Sequence, residues 1–349
     1  MTGQSTARAR NEYLLPGKHW DATLSSIGGH LLQSWRWGEF KSRHGWQVER
    51  VATEGAEVRG MAQILFRRRG PFSLGYVPRG PAINSDDQDL GSELIDLVDH
   101  ACKRRRCLNV IIEPDGSLPF TGTYRQHGFV RGPDHFQPAR TVKVPLLDDE
   151  ALLAQMHQKT RYSVRLAERR DVAIRAARPD EDAVGDFYRL LLETSNRNQF
   201  GIHGIDYYRD FLQTFEETAV LLFAYIDDKP AAALIAARFA CEAIYMYGAS
   251  SSSNRGHGAA FALQFEAMRW ARGHGCTSYD LWGIPAQDPP STETKTDRVA
   301  ATRGEDWRGL HKFKTGFGGR IVSPPPTLER RYHPILSFVA RRLYAIRAG

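Results

Sequence analysis

The chain has 349 residues, 42% of them hydrophobic, which favours two globular domains over one and is enough to build real cores. The formal net charge of +7 indicates an anionic partner, either nucleic acid, a phosphorylated substrate or a membrane surface, although an arginine-rich surface without a specific partner is the alternative. The four cysteines form no CxxC pair and accompany no clustered histidines, which argues against a disulfide framework and a zinc site and predicts reduced, cytosolic thiols.

The N-terminal region lacks an apolar leader, and no apolar run reaches the length of about 20 residues that spans a bilayer. The first half of the chain then shows one repeating order of elements. Hydrophobic periodicity predicts helices at 31–44 and 89–105, and strands at 47–53, 60–67, 74–77 and 108–113.

The second half follows the same order, with strands at 221–226, 231–239 and 243–247, a helix at 257–274 and a strand at 278–284. In both halves, strands are followed by a helix and then by an apolar strand that ends at a proline. This repetition indicates an internal duplication of one α/β unit. Two similar halves predict a cleft between them, where substrates commonly bind.

The segment between the halves is strongly basic. Asp148 or Asp149 is positioned to cap a helix that extends to about Gln158. Beyond it, three arginines recur at every fourth position and so share one helical face: Arg161, Arg165 and Arg169. They form either a phosphate-contacting stripe or a solvated helix face.

Two further helices are predicted at 180–197 and 205–217. His203 and Tyr207 are four residues apart, hence neighbours if helical. Taken alone, such a histidine is more often a structural hydrogen-bonding residue than a catalyst. The polar, threonine-rich segment 288–303 predicts a mobile loop in the position of a lid.

The stretch 311–319, with sequence HKFKTGFGG, follows that loop and combines two lysines, two aromatic residues and three glycines. Only nine of the 47 basic residues are lysines, and two of them are here, Lys312 and Lys314. A lysine on an apolar floor provides a cation for an anion or an oxyanion. The alternative is a glycine turn with solvated lysines.

Six stretches, occurring in order over 33–319, together resemble the Fem family (FemABX-type), the aminoacyl-tRNA-dependent transferases that build peptidoglycan interpeptide bridges. They are QSWRWGEFK at 33–41, GYVPRGP at 75–81, RYSVRLA at 161–167, YMYGA at 245–249, YDLWGI at 279–284 and FKTGFGG at 313–319.

The resemblance implies an α/β fold of two GNAT-like (acyl-CoA N-acyltransferase-like) domains with a cleft between them. The first domain would comprise 1–147 and 318–349, and the second 148–317. No long heptad segment occurs in 180–220, which is similar to the arm-less form of the family. The implied activity is transfer of an amino acid from aminoacyl-tRNA to the side-chain amine of the stem peptide in a soluble or lipid-linked muropeptide precursor.

The resemblance also implies roles for individual residues. Lys314, beside Phe313, would stabilise charge that develops at the ester, and Asp86 is the nearest candidate for the proton acceptor. The precursor would be bound by Lys41, Tyr76, His203, Tyr207, Tyr245 and Tyr247. From the basic charge of the chain rather than from the resemblance, Lys312 and the arginines Arg161, Arg165 and Arg169 are candidates for contacts with tRNA phosphates.

The residues themselves fit this chemistry. No GxxxxGK[ST] loop and no metal-ligand constellation occurs, so the amino acid has to arrive already activated and no cofactor is expected. No nucleophile and base arrangement is apparent, which predicts direct attack of the amine on the ester. We expect a cytoplasmic monomer. Whether it also makes peripheral contact with the inner face of the membrane is left open by the sequence.

Two other classes of function remain as alternatives. Residues 254–259 (NRGHGA) resemble the loop that holds CoA pyrophosphate at a helix N-terminus, as in an acyl-CoA-dependent GNAT N-acyltransferase. A non-catalytic protein that binds tRNA or membrane is the other alternative, because the tail 333–347 combines apolar residues with arginines. Packing of that tail on the first domain is the competing interpretation.

Overall fold

The computed structural model describes residues 17–53, 58–84, 88–116, 121–251, 255–288 and 308–333, and the chain folds into two compact α/β units. One unit contains the described residues up to Asp134 together with those from Pro325 onward, and the other comprises His135–Pro324. Each is built on a seven-stranded sheet with helices packed against it.

The helices of the described residues are α1 (Gly17–Ser26), α2 (Trp35–Arg43), α3 (Gln88–Arg104), α4 (Thr121–Gln126), α5 (Asp149–Gln155), α6 (Gln158–Arg169), α7 (Glu181–Asn198), α8 (Ile205–Thr214), α9 (Ala259–Gly273) and α10 (Arg308–Thr315). The strands are β1 (Gln47–Ala52), β2 (Gly60–Arg69), β3 (Phe72–Pro78), β4 (Ala82–Ile83), β5 (Cys107–Glu113), β6 (Val130–Arg131), β7 (Thr141–Pro145), β8 (Ala173–Ala177), β9 (Ala219–Ile226), β10 (Lys229–Phe239), β11 (Glu242–Ser250), β12 (Ser278–Gly283), β13 (Arg320–Val322) and β14 (Leu328–Arg331).

Side-chain caps set the start of several helices. The hydroxyl of Ser34 accepts a hydrogen bond from Trp37 N, so the helix predicted at 31–44 is divided into a 3-10 turn at Leu31–Gln33 and α2. The Asp148 carboxylate accepts from Ala151 N, 2.9 Å away, and begins α5 as the sequence predicted.

The first sheet has the strand order β1-β2-β3-β5-β14-β6, with β4 paired to β2. All of its pairs are antiparallel except β3 with β5. α3 supplies the apolar face that covers this sheet, through Leu94, Ile95, Val98 and Cys102, which are at most 2% exposed. Leu94, Val98 and Cys102 are four residues apart and Ile95 is three before Val98, which is the period of a helix with one buried face.

The second sheet has the order β13-β7-β12-β11-β10-β9-β8, and β11 with β12 is its parallel pair. α9 packs on this sheet through Leu263, Ala267, Met268 and Ala271, all at most 2% exposed. Two of these are alanines, whose small side chains let the helix lie close to the strands.

The two units share one topology, which confirms the predicted duplication. The order β1-β2-β3-α3-β5 in the first unit corresponds to β9-β10-β11-α9-β12 in the second. In each sheet, the second strand of the parallel pair also has an antiparallel neighbour on its other side. This neighbour is β14 beside β5 in the first unit and β7 beside β12 in the second. Residues 325–333 therefore return to the first unit, as the family resemblance implied.

The boundaries of the units differ from those expected. β7 pairs with β12, and β13 pairs with β7, so residues 135–147 and 318–324 belong to the second unit. These assignments depend on pairings between strands far apart in sequence, which local periodicity does not encode. None of the helices in the described part of the chain has both the length and the apolar character needed to cross a bilayer.

Candidate functional site

The stretch 311–319 begins as a helix and ends as a glycine turn. α10 ends at Thr315, and the turn after it contains Gly318 and Gly319, with φ of +83° and +82°. Glycine adopts this conformation without strain, and a Cβ on Gly319 would lie 2.3 Å from the carbonyl oxygen of Lys143. The glycines thus permit close backbone packing, as the turn interpretation predicted, whereas helix α10 itself was not predicted.

The two lysines of α10 have opposite environments. Lys312 is exposed, whereas Lys314 is only 5% exposed. The Lys314 ammonium donates to the carbonyl oxygen of Gly283 at 2.8 Å and lies 5.3 Å from the centre of the Tyr245 ring. Burial lowers the pKa of Lys314 to about 7, and attraction to the Asp280 carboxylate opposes that decrease. The site therefore holds a cation that gives up its proton near neutral pH.

Phe313 anchors the helix that carries this lysine. Its ring centre lies 4.9 Å from that of Phe261 and 5.4 Å from that of Phe317, both in edge-to-face arrangements. Phe317 is fully buried in the core of the second unit. Such aromatic pairs are each worth about 0.5–1.5 kcal/mol beyond burial, so the position of α10 is fixed on both sides of Lys314.

Tyr245 and Tyr247 are two residues apart on β11 but have different neighbours. The register between β10 and β11 shifts between them, so a bulge separates the two side chains. Tyr245 contacts Lys314 and forms a hydrogen bond with Gln264, and burial raises its pKa to about 12. The ring of Tyr247 instead packs edge-to-face against Tyr208, 5.1 Å away. The sequence placed both tyrosines at one site, and the structure divides them between two clusters.

His203 and Tyr207 stack face to face, with ring centres 3.8 Å apart and planes inclined by 19°. His203 lies in the loop before α8 and is exposed, whereas Tyr207 is buried. The Tyr207 ring also meets Tyr247 edge-to-face at 6.3 Å. Three of the predicted precursor-binding residues thus form one cluster, with His203 at its exposed end.

In the first unit, Lys41 lies among three aromatic rings. Its ammonium is 5.6 Å from the ring centre of Trp37, 5.7 Å from Phe40 and 5.8 Å from Trp46. Burial and, to a smaller extent, repulsion by Arg67 lower the pKa of Lys41 to about 8. A desolvated ammonium in an aromatic cage is a suitable contact for an anionic group.

Tyr76 lies next to this cage. Its ring centre is 6.4 Å from that of Trp46, and its hydroxyl donates a hydrogen bond to the Glu113 carboxylate. Glu113 is fully buried at the end of β5 and was not predicted as a site residue. The signal that could have found it is a carboxylate ending an otherwise apolar strand. The structure therefore brings Lys41 and Tyr76 together through Trp46.

Three of the sequence predictions lie outside the described residues. They are the candidate proton acceptor Asp86, the lid predicted at 288–303 apart from Asp288, and the tail at 333–347 apart from His333. The Asp288 carboxylate accepts a hydrogen bond from Arg140, 2.8 Å away.

The arginine stripe on α6 has mixed environments. Arg161 donates to the backbone carbonyls of Leu153, Ala154 and Met156 at 3.2–3.3 Å, so its guanidinium caps the end of α5. Arg165 and Arg169 are exposed, and the Arg169 guanidinium lies 5.4 Å from the centre of the Tyr162 ring. For Arg161, this structural contact competes with the predicted phosphate contact.

The second unit contains a cavity of about 870 Å³ between the start of α6, the start of α9 and α10. Its walls include the basic side chains Lys159, Arg308 and Lys312, and the rings of Phe261 and Phe313. Cations beside aromatic faces suit a ligand that combines phosphates with stacking bases. Among the described residues, no group of three or more His, Cys, Asp or Glu side chains is arranged to hold a metal ion.

Comparison with known proteins extends the resemblance to almost the whole chain. The model of the FemAB family matches residues 19–121, 120–230 and 227–343. A lipid II:glycine glycyltransferase from Staphylococcus aureus (strain MRSA252) is 28% identical over 223 residues, which cover 59% of this chain and 52% of that protein. The chain thus matches about half the length of this curated relative.

Solved structures with the same fold agree with the two-unit architecture. The crystal structure of FemX aligns with a TM-score of 0.82 at 20% identity and covers 93% of this chain and 98% of its own. A tandem GNAT protein from the clavulanic acid biosynthesis pathway aligns with a TM-score of 0.51 at 12% identity, over 90% of this chain and 95% of its own. Both units are therefore GNAT-like.

Proposed function

This chain belongs to the FemAB family, and from that membership we propose that it transfers an amino acid from aminoacyl-tRNA to the side-chain amine of the stem peptide in a peptidoglycan precursor. The observation that carries the proposal is the buried Lys314 ammonium, held between the Gly283 carbonyl and the face of Tyr245. Acyl transfer to an amine is accelerated by a hydrogen-bond donor or cation at the position where the oxyanion develops, and we assign this role to Lys314.

The reaction forms one amide bond and breaks one ester bond. The precursor amine attacks the ester carbonyl of the charged tRNA, and the resulting oxyanion is stabilised by Lys314. Collapse of this intermediate expels the ribose oxygen of the tRNA, which takes up a proton, while the nitrogen gives one up. Because Lys314 has a pKa of about 7, it can also donate the proton that the leaving oxygen needs. The proton acceptor for the amine is water, the tRNA or Asp86.

We assign the cavity of the second unit to the donor end of the tRNA. Lys312 and Arg308 lie on its wall beside Phe313, the neighbour of Lys314 in sequence. Arg165 and Arg169 are exposed on α6, the helix whose first residues also line the cavity. We assign to these four basic residues the contacts with phosphates, which supply most of the affinity for nucleic acid.

The acceptor is a peptidoglycan precursor, which is anionic through its phosphates. The name of the Staphylococcus aureus relative includes lipid II, so a lipid-linked precursor is the first acceptor to test. Lys41 in its aromatic cage is the contact that we assign to the precursor phosphates, with Tyr76 beside it. The His203–Tyr207 stack is the second contact that we assign to this substrate. Because both substrates occur in the cytoplasm, we place the enzyme there, at the inner face of the membrane when the precursor is lipid-linked.

The acyl-CoA alternative depended on the glycine loop before α9. A Cβ on Gly258 would lie 2.2 Å from the carbonyl oxygen of Ser163, and Arg170 donates to the carbonyl of Gly256 at 2.8 Å. Packing against α6 accounts for this glycine without a bound cofactor. The family membership favours the tRNA donor as well.

A coupled assay with a tRNA, its synthetase, the amino acid, ATP and the precursor tests the proposed donor. Product formation that stops on treatment with ribonuclease would support it. Transfer that continues after the tRNA is degraded, or that requires acetyl-CoA, would rule it out.

A further inference from the structure

A buried carboxylate lies at an irregular point of β12, close to the catalytic lysine. In the pairing with β7, Asp280 lies opposite Lys143, whereas Gly283 lies opposite Thr141. β12 thus advances three residues where β7 advances two, which defines a bulge. Trp282, within the bulge, has φ of +61°, a conformation that residues other than glycine rarely adopt.

The side chain of Asp280 holds this bulge in place. Its Oδ1 accepts a hydrogen bond from Trp282 N at 2.6 Å and another from the hydroxyl of Thr141 on β7. Asp280 is 1% exposed, and Thr141 is 3% exposed. One buried carboxylate oxygen therefore joins the two strands where their register changes, and it fixes the unusual backbone of Trp282.

The bulge determines where the next carbonyl points. Gly283 follows Trp282 directly, and its carbonyl oxygen accepts the hydrogen bond from Lys314 at 2.8 Å. A Cβ on Gly283 would come within 2.8 Å of Pro138, so a larger residue would displace this segment. In a regular strand, successive carbonyls alternate in direction, and an added residue changes which of them faces α10.

We propose that Asp280 is a positioning residue for Lys314: with Thr141 it holds the bulge that presents the Gly283 carbonyl to the ammonium. The negative charge of Asp280 also favours the protonated form of Lys314. The inference deepens the proposed function, since it concerns the cation assigned to the reaction. The placement of the ammonium itself is independent of which substrate is used.

The charges around the two groups agree with this assignment. Asp280 faces Glu242 on β11, Lys143 on β7 and Lys314 on α10, while Lys314 faces Asp280 and the ring of Tyr245. Lys143 donates to Glu242 at 2.8 Å, so these two charges largely compensate each other. Burial, together with Glu242, raises the pKa of Asp280 to about 6, and Lys314 has a pKa of about 7.

The test is a direct titration of Lys314 in the protein without substrates. The chain has only nine lysines, so labelling with [13Cε]lysine gives few NMR signals, and the Lys314→Met variant identifies the one from Lys314. We expect a midpoint near pH 7 in the wild type. In Asp280→Asn, which keeps the shape of the side chain but removes the charge, the midpoint should fall by about one pH unit.

Thr141→Val provides a second variant that keeps the carboxylate and removes its hydroxyl partner, and it should lower the transfer rate and alter the Lys314 signal. Asp228→Asn, in the exposed turn between β9 and β10, is the matched control and should leave the Lys314 midpoint unchanged. The alkaline limb of the pH–rate profile should move with the midpoint in Asp280→Asn, which a merely structural role would not cause.

An unchanged Lys314 midpoint in Asp280→Asn, together with a rate loss that is equal at every pH, would overturn the positioning role. The titration does not need transfer activity. A shifted midpoint in a protein that transfers no amino acid would remove the proposed function and leave the positioning of the ammonium by Asp280 supported. If the wild type transfers an amino acid but the Lys314 midpoint does not shift in Asp280→Asn, the proposed function is supported and the positioning role of Asp280 is refuted.

Discussion

Lys312 and Lys314 are two residues apart on α10, yet one ammonium is exposed on the wall of a cavity and the other is buried against the Gly283 carbonyl. Because side chains two residues apart on a helix point in different directions, a single short helix presents one cation to solvent and one to the core. We therefore assign Lys312 to substrate contact and Lys314 to catalysis.

The first prediction compares these two lysines. Lys314→Ala should lower the turnover number by about 10²–10³, the usual loss when an oxyanion donor is removed, while binding of the precursor persists. Lys312→Ala should instead weaken tRNA binding with little change in turnover at saturation. Steady-state kinetics with varied charged tRNA distinguish the two effects. Wild-type turnover in Lys314→Ala would refute the catalytic assignment.

The second prediction concerns stability and pH. The unfolded chain binds the Lys314 proton up to an ordinary pKa of about 10, whereas the folded chain releases it near pH 7. The unfolded state thus holds more protons above pH 7, so the free energy of unfolding rises with pH. Lys41, with a pKa of about 8, also makes the free energy of unfolding rise with pH, mainly above pH 8. Comparison with Lys314→Met over the interval from pH 7 to 8 removes the contribution of Lys41, which both proteins share.

Over that interval, the wild type should gain about 1 kcal/mol in free energy of unfolding, or about 1.5 °C in melting temperature for a chain of 349 residues, relative to Lys314→Met. Thermal unfolding of the two proteins in the same buffers measures the difference. An equal pH dependence in both would show that Lys314 does not titrate there.

The third prediction tests the aromatic cage in the first unit. Lys41→Met keeps the length of the side chain and removes the charge, so we expect the KM for the precursor to rise about tenfold, the value of one charge-assisted hydrogen bond. In the wild type, affinity should fall as the pH rises through about 8, because Lys41 then loses its proton. Lys18→Met, on the exposed surface of α1, is the control. An unchanged KM would remove Lys41 from the acceptor site.

The fourth prediction separates the three arginines of α6. Arg165→Ala and Arg169→Ala should each reduce the slope of log affinity for tRNA against log salt by about 1. Arg161→Ala should mainly lower the melting temperature, since its guanidinium caps the end of α5. Filter binding over a range of salt concentrations measures the slopes. The same slope in all three variants would contradict this division.

Local patterns in the sequence predicted much of the fold. The periodicity that placed helices at 89–105 and 257–274 corresponds to α3 and α9, and the duplication follows from the order of elements. The positions of β7, β13 and β14 were not predictable in the same way, because each pairs with a strand distant in sequence. The domain boundaries depended on these pairings and shifted with them.

The candidate site was only partly predictable for the same physical reason. Lys314, Lys41 and Tyr76 were predicted from motifs, whereas the residues that each of them contacts became known only from the fold. Asp280 appeared in the sequence as one residue of a short strand, and nothing local indicates that its carboxylate would hold a bulge against β7. Tyr245 and Tyr247 were grouped by the family resemblance, and the bulge in β11 that separates their side chains has no local signal in the sequence.

The central claim is most directly tested by the mass of the acceptor. The protein is incubated with soluble and lipid-linked muropeptide precursors, each with a panel of charged tRNAs or with acetyl-CoA, and the products are analysed by mass spectrometry. The proposal predicts that one or a few charged tRNAs add a single aminoacyl residue to the side-chain amine of the stem peptide, and that Lys314→Ala adds far less in the same time. An acetyl increment from acetyl-CoA, or an unchanged precursor with every charged tRNA, would contradict it.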